Sequence, residues 1–157
     1  MTLYPSIIAF YALFTVSVLF ALAKGGWPER LGAAAYLALA SVQIGVSFIL
    51  PFFYDKVDGV GFFADLLSLA AFGAIALSAK RIWPLWAASL QLLAIASHFA
   101  RWAQIAIEPY VYSLMKTVPT ASTLVAMAVG TYFHQRRLKK FGYDPDWVNW
   151  KAASATF

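Results

Sequence analysis

Charged residues in this sequence are gathered into short clusters separated by long apolar stretches, and that spacing decides what the chain can fold into. From Met1 to Ala23 there is no Asp, Glu, Lys or Arg. A helix that crosses a bilayer needs about 20 predominantly apolar residues, with a range of roughly 17–25. Five segments meet that requirement: 3–23, 31–54, 61–79, 82–101 and, the shortest, 117–133. Composition agrees, since 62% of the residues are hydrophobic and 12% charged, against roughly 45–50% and about 25% for a soluble domain. The sequence predicts an all-α, polytopic integral membrane protein, a bundle of five transmembrane helices.

Turn chemistry places the breaks. Lys24-Gly25-Gly26-Trp27-Pro28-Glu29-Arg30 ends the first span, and proline fits the start of the second because its missing N–H is not needed there. Pro51 is expected to kink the second span near its exit. Asp55–Gly59 forms the next connection, and Lys80-Arg81 a tight hairpin between the third and fourth spans. Trp102–Lys116, interrupted by Glu108-Pro109, reads as an interfacial connection, and Thr117 as the N-cap of the fifth helix with Pro119 just behind it. The first span has no basic leader and no small-residue cleavage site, which makes it a retained helix rather than a secretory signal. The division expected is a transmembrane domain over 1–133 and a basic cytoplasmic tail over 134–157.

Five spans put alternate connections on opposite faces. One face then holds nine basic residues (Lys24, Arg30, Lys80, Arg81, Arg136, Arg137, Lys139, Lys140 and Lys151) and the other three (Lys56, Arg101 and Lys116). Short loops rich in Lys and Arg stay cytoplasmic, so the N-terminus is expected outside and the C-terminus inside, in a bacterial inner membrane. Trp27, Trp83, Trp86, Tyr132 and Phe133 fall near the inner boundary, and Tyr4, Tyr54, Trp102, Tyr110 and Tyr112 near the outer, as interfacial belts require.

Several chemistries are excluded at this level. There is no cysteine, hence no disulfide, thiolate metal site or iron–sulfur cluster. Two distant histidines, His98 and His134, build no multi-histidine metal centre. The net charge of +5 resides in inter-helix connections, where membrane lipids explain it better than nucleic acid. No Ser/His/Asp set, His-Glu-x-x-His helix or phosphate-cradling glycine loop is present. No catalytic activity is therefore expected.

Ionisable groups at membrane depth are costly and each demands a reason. Asp65 lies in the third span and His98 and Arg101 toward the outer end of the fourth, while Gln43 and Gln91 lie deeper. Asp65 and His98 are equidistant from a hairpin turn centred between Arg81 and Ile82. In an antiparallel pair they share a depth, about 25 Å from that turn at 1.5 Å per residue. Arg101, one turn beyond His98, falls on the same face. An Asp65–His98–Arg101 cluster is expected, with Trp102 beside it. Its simplest role is structural: Asp65 complements a helix N-terminus, Arg101 snorkels to the headgroups, and a neutral His98 hydrogen-bonds a neighbouring helix.

A second role for His98 is ligation. In Ala94-Ile95-Ala96-Ser97-His98-Phe99-Ala100-Arg101-Trp102, Ala94 precedes the histidine by four residues and Trp102 follows it by four. This segment resembles the Ala-x-x-x-His pattern by which light-harvesting polypeptides hold bacteriochlorophyll. The resemblance implies a pigment at His98; haem and quinone are the other cofactors to weigh there.

Surfaces for neighbours complete the picture. Ala34/Ala38, Ala70/Ala74, Ala74/Ser78 and Ala126/Gly130 are small residues one turn apart that let helices approach closely, within the bundle or with a partner. Ser41/Gly45 and Gln43/Ser47 form further stripes on the second helix. In the tail, Arg136, Arg137, Lys139 and Lys140 precede Trp147 and Trp150, a stop-transfer block facing anionic lipid or a grip for a cytoplasmic partner. The function expected is that of a non-catalytic accessory or scaffolding subunit packed against other integral membrane subunits of a larger complex, photosynthetic or respiratory. The alternatives are a pigment-, haem- or quinone-binding protein centred on His98 and a small transporter or channel.

Overall fold

Five helices follow one another in a computed structural model that describes residues 5–49, 59–103 and 108–149. They are α1 (Pro5–Lys24), α2 (Trp27–Ile49), α3 (Gly59–Ser78), α4 (Trp83–Trp102) and α5 (Pro109–Phe141). Two of them, α1 and α3, are long and apolar enough to cross a membrane, with mean hydropathies of 2.3 and 2.0. Each helix packs on its sequence neighbours, and α5 closes the ring on α1 while touching α2 across the middle. An odd number of alternating helices sends α1 and α5 in the same direction, so the start of α1 and the end of α5 lie at opposite ends of the bundle. We call the end holding Lys24, the α3–α4 hairpin and Phe141 the hairpin end.

The helix bounds depart from the expected ones where proline was misread. α2 starts at Trp27 rather than Leu31, taking Pro28 and Glu29 into its first turn. The larger correction concerns α5, which begins at Pro109 instead of Thr117 and continues to Phe141 instead of Phe133. Glu108, in extended conformation, precedes Pro109, so the start signature assigned to Thr117-Val118-Pro119 operates a little earlier in the chain. Pro119 is inside the helix, where it removes one intrahelical N–H. Much of the segment expected to be a connection is therefore helical, and Arg136, Arg137, Lys139 and Lys140 ride on the last turns of α5 instead of a separate tail. The helix stops at Gly142, whose φ of +72° gives the left-handed cap and directs its N–H to the Leu138 carbonyl. Pro51, Lys56, Trp150 and Lys151 lie outside the described residues.

Beyond Gly142 the chain returns under the bundle. The Lys80 N–H donates to the Asp146 carbonyl, the Val148 N–H to the Ser78 carbonyl, and Ala79 and Trp147 form an antiparallel bridge. Residues 143–149 are thus a strap across the α3–α4 hairpin.

The core fills the ring with Val18, Ala21, Ala33, Tyr36, Phe72, Ile75, Trp83, Ala87, Leu124 and Met127. Outside it, large apolar side chains project from every helix, among them Val16, Phe48, Phe63, Leu92 and Val118. Trp83 is buried at 3% exposure instead of belonging to the interfacial belt, whereas Trp27 and Trp86 are each 62% exposed. Trp83 fits because Gly130 of α5 and Gly32 of α2 present no side chain to it: a Cβ at Gly32 would lie 2.6 Å from the Trp83 ring, and one at Gly130 would collide with it outright. Gly130→Ala is expected to lower thermal stability by about 1–3 kcal/mol, the usual cost of overpacking. Gly73→Ala, whose Cβ meets open space, is expected to be neutral or stabilising; unfolding in detergent of the two variants checks this.

Candidate functional site

Two polar clusters sit at opposite ends of the bundle. At the far end from the hairpin, His98 of α4 is fully buried and both its ring nitrogens are engaged. Nε2 lies 3.1 Å from Asp65 Oδ2 and Nδ1 3.0 Å from the Tyr112 hydroxyl. One arrangement uses all three groups: the Tyr112 O–H donates to Nδ1, and Nε2–H donates to Asp65. The antiparallel register of α3 and α4 brings Asp65 and His98 to one depth, as their distance from the hairpin predicts. Asp65 is not in the first turn of α3, which begins at Gly59, so its partner here is His98 rather than the helix terminus.

Arg101 stands over the Tyr112 ring with its guanidinium carbon 5.3 Å from the centroid, and the Lys116 ammonium is 5.7 Å from it. Trp102 packs edge-on against Phe62 at 4.7 Å, and Phe62 in turn meets the His98 ring at 5.6 Å. Tyr112 was read only as an interfacial aromatic, because its segment was taken for a connection. Its place on α5, one helix further around the ring, makes it the third member of the cluster.

In this geometry neither nitrogen of His98 is open toward the metal of a pigment or haem. An axial ligand must turn an imidazole nitrogen toward a metal, and both nitrogens are spent within the protein. The space that Ala94 would leave beside a macrocycle is occupied, since Ala94 and Ser97 are themselves fully buried.

The hairpin end holds a denser cluster centred on Arg81, which lies in the turn between α3 and α4 and is 8% exposed. Its Nε donates to Glu29 Oε1 at 3.1 Å, and its Nη1 to the carbonyls of Lys80 at 3.1 Å and Pro145 at 2.9 Å. Nη2 reaches Asp146 Oδ1 at 2.8 Å and Asp144 Oδ2 at 2.9 Å. Four of the five guanidinium N–H groups thus have an oxygen acceptor, and Asp144 is an ion-pair partner. Glu29, from the first turn of α2, is fully buried and also accepts the Trp83 Nε1–H at 3.0 Å. The carboxylate of Asp146 further accepts the Trp27 N–H at the start of α2.

His134 of α5 approaches Asp144 Oδ2 at 2.6 Å through Nδ1. With the carboxylate ionised, Nδ1 carries the hydrogen and donates. Arg81 Nη2 lies 2.9 Å from the same nitrogen, which accepts its hydrogen only in the tautomer that does not donate to Asp144. Burial by itself raises the Asp144 carboxyl, but hydrogen bonds from Arg137 and His134 and the charge of Arg81 outweigh it and hold the group below its ordinary value.

Glu29, His134 and Asp146 each bring one ligand atom within 4.8 Å of the others, a spacing that suits a cation. The Arg81 guanidinium already lies among them and bonds two of the three, so this donor set fits an arginine better than a metal. Sequence reasoning missed this cluster. Its signal was three carboxylates, Glu29, Asp144 and Asp146, on the face otherwise rich in Lys and Arg.

Between the two ends, Tyr36, Gln91 and Thr123 meet at mid-bundle, yet neither Tyr36 Oη nor Gln91 Oε1 completes a well-aligned hydrogen bond among the described residues. Compared with known proteins, the chain matches no family model, no curated protein sequence and no solved structure.

Two outcomes test the hairpin cluster. Arg81→Ala strands buried carboxylates and is expected to cost about 3–5 kcal/mol. Arg81→Lys keeps the charge with three donors and should fall between it and the wild type; chemical denaturation in detergent measures both. The depressed Asp144 carboxyl contributes stability that is present above its unfolded value, about 3.9. That contribution is lost as pH falls through the lower folded value. Unfolding midpoints are therefore expected to drop below about pH 4, and Asp144→Asn to flatten that acid limb.

Proposed function

We propose that this protein spans a membrane five times, N-terminus outside and hairpin end cytoplasmic, and serves as a non-catalytic accessory subunit packed against other integral membrane proteins of a bacterial inner membrane. The apolar exterior of all five helices and the inward turn of the buried charges support the membrane assignment, because lipid leaves a polar group no partner but protein. Among the described residues, eight basic side chains at the hairpin end against two at the other support the orientation.

The observation that carries the subunit role lies on the outer half of α2. Ser41 and Gly45, one turn apart, are both exposed, and a Cβ at Gly45 meets nothing within 4 Å. Ala34 and Ala38 of the same helix and Ala70, Ala74 and Ser78 of α3 are exposed as well, whereas Ala33, Ala87 and Gly130 are consumed by packing. In lipid, an open face of small residues favours a partner helix, since close backbone approach drives association there. Native mass analysis after gentle solubilisation is expected to find a larger assembly that Gly45→Leu disperses; a lone monomer from wild-type membranes refutes the subunit role. Reporters fused at Gly59 and Lys139 are expected to read outside and inside respectively, and the opposite pattern refutes the orientation.

The mid-bundle layer favours a second reading, a small transporter passing protons. Tyr36 and Gln91 lie between the His98 and Arg81 clusters, so polar groups occur at three depths through the ring. Proton flux in proteoliposomes that Asp65→Asn abolishes supports this reading; no flux above empty vesicles leaves the subunit role.

A further inference from the structure

We propose that the groove between α4 and α5 is a binding site for one anionic phospholipid, its acyl chain along the helices and its headgroup at the hairpin end; this rests on the membrane reading above. The groove has a volume of about 690 Å³, within the range of sites that enclose ligands. Trp86 and Leu90 of α4 and Val125 and Val129 of α5 wall it. Its floor is Ala126 and Gly130, small enough to leave a trough, with Trp83 beneath them. From Ser122 to Arg137 it follows α5 for about 22 Å at 1.5 Å per residue. That exceeds one leaflet of a hydrocarbon core about 30 Å thick.

Only one end of the groove is charged, and its charge is positive. Lys80, Arg81 and Arg137 line that end. The carboxylates nearby are already committed: Glu29, Asp144 and Asp146 to Arg81, and Asp144 also to Arg137. Among the described residues, the basic groups that remain exposed at the hairpin end are Lys24, Arg30, Lys80, Arg136, Lys139 and Lys140. A zwitterionic headgroup gains little from such a rim, whereas an anionic phosphate is drawn to it. Trp86, 62% exposed at the same end, stands where an indole suits the headgroup boundary. An apolar trough of leaflet depth that ends in cations matches an anionic phospholipid better than a helix, which would need no cation at the mouth.

The test uses the full chain in vesicles of phosphatidylcholine with or without phosphatidylglycerol, followed by detergent extraction and native mass analysis of retained lipid. Wild type is expected to retain one phosphatidylglycerol in preference to phosphatidylcholine. Lys80→Gln, at an exposed side chain, is expected to cut that preference about fivefold. Val129→Trp fills the groove from its exposed side and is expected to abolish retention of either lipid with thermal unfolding unchanged. Equal retention of both lipids by wild type, or retention unaltered by Val129→Trp, overturns the proposal. A chain that fails to float with the vesicles overturns the membrane reading itself; one that floats but keeps no preferred lipid overturns only this inference.

Discussion

The Arg81 guanidinium is the interaction on which the rest of the bundle depends. It sits in a two-helix turn, yet its guanidinium is shared among α2, the hairpin itself and the strap after α5. An isolated buried cation is prohibitive and so is an isolated buried carboxylate, but here each removes the cost of the other. Glu29 fixes the start of α2, Asp144 and Asp146 fix the return of the chain, and Trp83 shares Glu29 with Arg81. The register of α3 against α4 follows from that anchor. So does the meeting of Asp65 with His98 at the opposite end, because the hairpin length between them is set.

The two ends solve the same problem by different means. At the hairpin end, charges are paired in a fork geometry that only arginine supplies. At the other end a chain of hydrogen bonds runs from Tyr112 through His98 to Asp65, walled by Phe62 and Trp102. Both arrangements turn polar atoms inward, as a chain must when its exterior is apolar on all sides. That shared direction explains why His98, the residue most suggestive of a ligand, has no nitrogen left for one.

Four helices are legible in charge spacing to within about five residues, but α5 is not, because Lys116 and Arg136 to Lys140 lie inside it instead of bounding it. The depth match of Asp65 and His98 was legible too, since an antiparallel hairpin converts distance along the chain into height. What escaped was everything contributed by non-neighbouring segments. Glu29, Arg81, His134, Asp144 and Asp146 come from four separate parts of the sequence, and each on its own reads as a loop or tail charge. Tyr112 escaped for a local reason: Pro119 suggested a helix start, and only the better start at Glu108-Pro109 moves Tyr112 onto α5.

Charges that set orientation in a membrane need not all do so from the surface. In this bundle the basic residues of the hairpin end divide by burial. Arg81 is withdrawn into the cluster and Arg137 is half-withdrawn beside Asp144, while Lys80, Arg136, Lys139 and Lys140 remain outside. The withdrawn pair binds the carboxylates of the cluster and holds helices; the exposed group faces outward. Because the carboxylates turn toward Arg81 and Arg137, the side chains that face outward at this end are mainly basic, while the net charge stays that of the composition. The internal cluster and the external basic rim are thus one device, in which the ion pairs that close the bundle also leave its surface cationic.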